Sequence, residues 1–354
     1  MNVKAAWLLA CLWLAGCEPP APPAQSYAGL GADAADFEQV IPNVPLVFPH
    51  DHGAHDGYRI EWWYVTANLA DAQGRDWGVQ WTLFRSALRP GPDVPGWASS
   101  NLWMGHAALT GPGSHQVSET LARGGIGQAG VVAQPFHAWI NDWALQGVDG
   151  IGRLQVNASG EGFAYRLTLN SNRPLVLHGQ QGYSEKSGKG QASYYYSQPF
   201  YTVSGEVERN GQRIPVTGQA WLDREWSSQP LAPGQSGWDW FSLHLSNGAK
   251  LMLFQVREDR GHPYRAGTWV STKGEVRPLQ NTEIELLPLA YTTQQNGKRL
   301  PTRWQVRLPA EHVDVQVEAV QPNAWMGTRF PYWEGPVRIS GSAQGRGYLE
   351  MTGY

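Results

Sequence analysis

Cysteine is almost missing from this chain. The two present, Cys11 and Cys17, both fall within the first 17 residues, so the remainder can form neither a disulfide nor a thiolate metal site. Charge is sparse as well: 27 basic and 30 acidic residues among 354 leave a formal net charge of −3. Neither a basic block nor an acidic tail occurs, which excludes a nucleic-acid partner held by charge. The motif Gly-x-Ser-x-Gly does not occur, so the nucleophile elbow of serine hydrolases is lacking. The glycines are scattered at turns rather than gathered into a phosphate-cradling loop. No cofactor is implied. Past the first 15 residues no stretch is apolar enough to span a membrane, and no long helical period with caps is found.

The start of the chain carries its own signal. Lys4 precedes an apolar run over residues 5–15, followed by Leu14-Ala15-Gly16-Cys17. This is a secretory leader (1–17), too short for a comfortable membrane helix. The small residues before Cys17 resemble a bacterial lipobox, which implies acylation of Cys17 and a membrane anchor. Glu18 follows the cysteine; by resemblance to known sorting patterns, a residue other than Asp there favours the outer over the inner membrane. Residues 18–39 begin with a Pro/Ala-rich run that cannot pack a core and reads as a tether. The expected location is therefore the cell envelope, facing the periplasm.

Beyond the tether the chain is rich in β signals. Trp77, Val79, Trp81 and Leu83 alternate on one face of a β-prone run, as do Phe163, Tyr165, Leu167 and Leu169, and Val313, Val315 and Val317. Asn210-Gly211, Asn247-Gly248 and Asn296-Gly297 suit tight hairpins that need positive φ. Short antiparallel strands joined this way predict an all-β barrel or sandwich. Short helices are admitted near residues 32–40 or at barrel ends. The 18 tryptophans call for a large core or an aromatic-lined cavity.

Roughly 310 residues remain beyond the tether, too many for one simple core. A duplication is visible in them. Tyr196 to Ser204-Gly205 and then Thr217-Gly218 is echoed by Tyr332 to Ser340-Gly341 and then Thr352-Gly353. Trp62-Trp63-Tyr64 with Leu69 is echoed by Trp238, Trp240-Phe241 and Leu245, and each echo leads to a strand ending in Arg85 or Arg257. The Pro/Gly/Ser-rich stretch 229–237 separates the copies. The expected domains are 40–228 and 229–354.

Several motifs together resemble the AttH/carotenoid 1,2-hydratase family. They are Phe48-Pro49 with Asp51-His52-Gly53 and His55; Glu61-Trp62-Trp63-Tyr64; Ala220-Trp221-Leu222-Asp223-Arg224-Glu225-Trp226; Gly237-Trp238-Asp239-Trp240-Phe241; and Tyr332-Trp333-Glu334-Gly335 through Gly347 to Tyr354. The resemblance implies two tandem lipocalin-like antiparallel barrels. It also implies either hydration of isolated double bonds at carotenoid ends or a lipoprotein role, in some relatives beside an ABC transporter. Arg224 stands where many relatives have histidine, which puts a proton-transfer partner in doubt.

Hydrating an unactivated alkene needs a strong proton donor sheltered from water, and a carboxyl raised by apolar surroundings can serve. Acids beside tryptophans are therefore the candidates. Asp223 and Glu225 lie two apart in a strand, so both can share one face with Arg224 opposite. Asp239 sits between Trp238 and Trp240. Glu61 precedes three aromatics, with Arg59 or Arg85 as an ion-pair partner. His106, in an apolar strand, is either a satisfied core residue or a proton relay. Trp62, Trp63, Tyr64, Trp226, Trp238, Trp240, Tyr332, Trp333, Glu334 and His55 are the expected ligand-contacting residues. His50, His52 and His55 with Asp51 and Asp56 match no zinc spacing, and no metal is expected. Three functions fit these residues. One is an envelope lipoprotein that carries an apolar isoprenoid- or lipid-like molecule, with a transporter permease as partner. The second is a hydro-lyase or isomerase acting on an alkene. The third is a structural module with a filled interior.

Overall fold

A computed structural model describes residues 28, 30, 34–148 and 150–354. The leader, Cys17 and most of the tether lie outside the described residues. Among these, every regular element is a strand, apart from three-residue 3-10 turns. No α-helix forms over the described part of 32–40.

The first sheet comprises β1 (Ile60–Asp71), β2 (Asp76–Ala87), β3 (Asn101–Gly111), β4 (Ser114–Arg123), β5 (Ala129–Ala133), β6 (Phe136–Ile140), β7 (Trp143–Gly147), β8 (Arg153–Gly160), β9 (Phe163–Asn170), β10 (Val176–Leu177), β11 (Tyr183–Glu185), β12 (Ala192–Arg209) and β13 (Gln212–Ser227). Its order is β4-β3-β2-β1-β13-β12-β9-β8-β7-β6-β5, antiparallel throughout, with β10 and β11 edging β12. The second comprises β14 (Gln235–Leu245), β15 (Lys250–Glu258), β16 (Tyr264–Val270), β17 (Val276–Leu279), β18 (Glu285–Thr293), β19 (Arg299–Leu308), β20 (Val313–Ala319), β21 (Trp325–Met326), β22 (Tyr332–Gly341) and β23 (Gly345–Met351). Its order is β17-β16-β15-β14-β23-β22-β20-β19-β18. Each sheet curls around its own core, giving two tandem lipocalin-like barrels.

Alternation decides which side chains fill each barrel. Trp63, Val65, Ala67 and Leu69 of β1 join Trp77, Val79, Trp81 and Leu83 of β2 inside the first. Phe241, Trp304, Trp333 and Leu349 pack inside the second. The indole-lined hollow expected from the tryptophan count is thus not a barrel interior; these indoles are packing material.

Burial patterns show where the barrels meet. In β20, Val313 to Ala319 alternates strictly between buried and exposed, as a strand with one wet face should. In β1 every residue from Trp63 to Leu69 is buried, and β13 is buried from Ala220 to Ser227. Lys250 to Val256 of β15 is likewise buried. These strands are covered on both faces because the outer wall of one barrel docks on the other. Tyr64, Tyr195 and Trp221 from the first barrel form one apolar cluster with Trp240, Met252, Phe254 and Tyr348 from the second. Arg346 Nη2 adds an ion pair to Asp76 Oδ1 at 3.1 Å.

A segment before β1 closes one end of the first barrel. Trp63 Nε1–H donates to His52 O at 2.9 Å, Arg85 donates to His55 O at 2.6 Å, and Arg224 donates to Gly53 O. Beneath it Glu61 is gripped by Arg85 and Arg224. The second barrel repeats the device: Asp239 pairs with Arg257 at 2.6 Å and accepts from Gln255 and the Tyr354 hydroxyl.

Candidate functional site at the inter-barrel cavity

A cavity of about 180 Å³ opens between the barrels. Its first wall comes from outward-facing positions of β1, β2 and β3: Trp62, Tyr64, Phe84, Met104 and His106. Asp223 and Glu225 of β13 and Tyr195 of β12 continue that wall. The facing wall is Trp238 and Trp240 of β14, Phe254 and Val256 of β15, and Tyr332 and Glu350 of β22 and β23. Exposed Phe330 and Ala28 stand at its rim. Most of the lining is apolar, with few polar groups converging on it, as small-molecule sites require.

Strand alternation explains the acid placement. Asp223 and Glu225 point together into the cavity, while Arg224 between them points back into the first barrel toward Glu61. Asp223 accepts hydrogen bonds from the Ser197 hydroxyl and from Trp221 Nε1 (2.9 Å). Burial pushes its carboxyl up to about 7, despite the lowering effect of those bonds and of Tyr195. Glu350 accepts from Trp238 Nε1 at 2.5 Å. Burial raises it too, to about 7, and the negative charges of Asp223 and Glu225 add to the rise. Glu225 is ion-paired with Lys186 Nζ at 2.7 Å. That ammonium also lies 4.7 Å from the Tyr195 ring and 4.5 Å from the Phe254 ring.

A second polar group stands elsewhere on the wall. His106 Nδ1 is 3.0 Å from the Tyr332 hydroxyl and Nε2 is 3.2 Å from Glu119. Burial lowers its basicity although Glu119 opposes the effect. Both ring nitrogens have partners, and the ring also touches the cavity.

The other expected residues lie elsewhere. Trp63 and Trp333 are core side chains of their barrels, on the face opposite the cavity. Glu61 is locked at the barrel end: burial raises its carboxyl, but Arg85, Arg224 and His55 outweigh that and hold it well below the ordinary range. Asp239 faces away from the cavity that its two neighbouring tryptophans line, in the ion pair with Arg257. Trp226 stacks on His55 at 4.0 Å and packs with Tyr194 and Tyr196. Glu334 projects from the same face of the second barrel as Tyr332 and Glu350, just beside the cavity lining, hydrogen-bonded by the Tyr64 hydroxyl.

Sequence reasoning missed Glu350, Lys186 and Tyr195. Glu350 had a usable signal, an acid between Leu349 and Met351 in a strand with an apolar face. Lys186 had none, since it follows a three-residue strand in a polar stretch.

The profile of the AttH-like family matches residues 39–354. A crystal structure from Nitrosomonas europaea, assigned provisionally to AttH, superposes with a TM-score of 0.80 at 34% identity, covering 90% of this chain and 100% of that one. Kievitone hydratase from Nectria haematococca superposes with a TM-score of 0.67 at 15% identity, covering 90% and 96%, a likeness of fold. No curated protein sequence matches. A profile spanning both barrels, joined to a relative one-third identical over its entire length, establishes that this chain belongs to the AttH-like family.

Proposed function

We propose that the inter-barrel cavity takes an apolar, alkene-bearing small molecule and adds water across its double bond. One observation carries this reading: Asp223 and Glu350, both raised to about 7, face one apolar cavity. Near neutral pH such a pair holds a proton on one member and lacks it on the other, the arrangement acid–base chemistry needs. Asp223 donates its proton to one alkene carbon. The cation left on the other carbon lies among the faces of Trp62, Trp238 and Trp240. Water attacks that carbon, and its surplus proton passes to Glu350. The product has gained one water, and the pair has exchanged its proton. The fold shared with a hydratase is compatible with this chemistry.

A second reading is a carrier that binds the same ligand without changing it. The predominantly apolar lining favours it. An anchor at Cys17 would hold the barrels at the envelope face, with a transporter permease as recipient. Incubating the purified protein with acyclic polyenes bearing isolated terminal double bonds separates the two. Mass gain by one water, lost in Asp223→Asn by a factor of about 10² to 10⁴ with binding retained, supports hydration. Bound but unaltered polyene supports the carrier. Failure to bind any apolar probe rules out both.

A further inference from the structure

At the closed end of the first barrel, away from the cavity, His50, Asp51 and His55 bring three ligand atoms within 4.8 Å of one another. Spacing along the chain matches no zinc signature, because the 3-10 turn His50–His52 and the return toward β1 bring them together. His50 Nδ1 is 2.7 Å from Asp51 Oδ1, and His55 Nε2 is 3.4 Å from the same oxygen. Ligand atoms around a tetrahedral zinc ion stand roughly 3.4 Å apart.

Donor counting fixes the His55 ring. Its Nδ1 is 3.1 Å from both Arg224 Nη2 and Glu61 Oε2. Arg224 Nη2 has two hydrogens, and Gly53 O and Glu61 Oε2 take them. His55 Nδ1 must therefore carry the hydrogen and donate it to Glu61. In the neutral ring, Nε2 is then a bare lone pair aimed at a carboxylate oxygen. Two acceptors facing each other at 3.4 Å repel unless a second ring proton or a metal cation lies between them. A carboxylate behind a ligating imidazole, orienting it through the other nitrogen, is the usual outer support of a metal-bound histidine. Trp226 stacks on the ring at 4.0 Å with planes 5° apart, fixing its tilt. The His55 and Asp51 side chains are each 10% exposed, whereas His50 is 76% exposed. An ion can enter from solvent on the His50 side, and that ring can adjust.

We propose that His50 Nδ1, Asp51 Oδ1 and His55 Nε2 bind a borderline divalent metal ion, zinc or a close relative, with a water completing the shell. Two imidazoles and a carboxylate suit such an ion and not calcium or magnesium, which take oxygen ligands. The ion fastens the segment that closes the first barrel. It takes no part in the cavity chemistry.

Zinc is titrated into untagged protein by calorimetry, with His50→Ala, Asp51→Asn and, as control, His312→Ala at an exposed site. Binding of about one zinc per chain is expected, unchanged in the control, weakened about tenfold or more in His50→Ala and lost in Asp51→Asn. Nitrogen NMR should show the His55 signal moving at Nε2 and not at Nδ1, with magnesium giving no such shift. Because His50 is exposed, its variant folds and decides the matter even if Asp51→Asn does not. Absence of stoichiometric zinc binding, or equal binding by all the variants, overturns the proposal.

Discussion

Glu334 and Glu350 stand directly opposite each other on β22 and β23 and share the face turned toward the first barrel, Glu350 lining the cavity and Glu334 beside it. Burial raises Glu334 well above the ordinary carboxylate range, and the charge of Glu350 adds to the effect. Two like groups this close cannot both ionise cheaply, so the cavity stores protons that water would remove.

Those protons make stability depend on pH. In the folded protein Asp223 and Glu350 keep their protons up to about 7, whereas their ordinary values are 3.8 and 4.5. Between those limits the folded state binds more protons. This contribution is complete below the ordinary values and is lost as pH rises toward 7. Buried histidines act in the opposite sense: burial lowers His52 to about 4, so its contribution is lost as pH falls below 6.5. The two slopes overlap, and comparison with the double variant Asp223→Asn, Glu350→Gln isolates the acids. Urea unfolding should show the variant gaining on wild type from about pH 4.5 to 7 and levelling above that. A difference that stays flat across the range would mean these carboxyls titrate normally.

Adjacent tryptophans should behave as different kinds of residue. Trp63 and Trp333 fill barrel interiors, and replacing either by alanine should cost about 3–5 kcal/mol of folding stability. Trp62 and Trp238 are half-buried in the cavity wall. Their alanine variants should stay folded at far smaller cost and lose affinity for an apolar fluorescent probe instead. Equal destabilisation by all four would sink this division.

That division marks how far the sequence could be read. Alternation in β2 and β20 was plain, and the repeated aromatic and Ser-Gly motifs revealed the doubling. Periodicity separates the two faces of a strand but does not say which one points into the barrel. In Trp62-Trp63-Tyr64 both faces are aromatic because both are buried, one in the core and one against the second barrel. Taken together as ligand contacts, the three residues are split by the fold. Glu61 and Asp239 looked like reactive acids because they adjoin tryptophans. For Glu61 the sequence offers Arg85 as a partner, and the strand register sets the two directly opposite; for Asp239 it offers none, and only the register brings Arg257 near, opposite Gly237 two residues along the same face.

The ion pair at the first barrel's end should be structural. Glu61→Gln leaves Arg85 and Arg224 buried without their shared carboxylate. Breaking such a buried pair from one side costs about 3–5 kcal/mol. Thermal unfolding of Glu61→Gln should fall accordingly, while Arg338→Ala, which removes an exposed partner of Asp76, changes stability by about 1 kcal/mol or less. If Glu61→Gln were as stable as wild type, its carboxylate would be free for some other role.

Gly78 tests the docking of the barrels themselves. It lies on β2 opposite Asn68, facing Tyr348 and Pro336 of the second barrel. A Cβ added there would sit 2.5 Å from the Tyr348 hydroxyl and 2.7 Å from Pro336 Cγ. Neither can retreat freely: Tyr348 is buried in the cluster shared by both barrels, and the proline ring is rigid. Gly78→Ala should therefore push the barrels apart at a cost of about 1–3 kcal/mol. Since the cavity is formed by both walls, affinity for an apolar probe should fall in the same variant, though no cavity residue has changed. Gly74→Ala at the neighbouring hairpin, where nothing lies within 4 Å, separates the effects. There φ is +73°, so strain costs stability but leaves the inter-barrel gap and probe affinity intact. Probe affinity lost equally in both variants, or in neither, would show that contact across Gly78 does not set the cavity's shape.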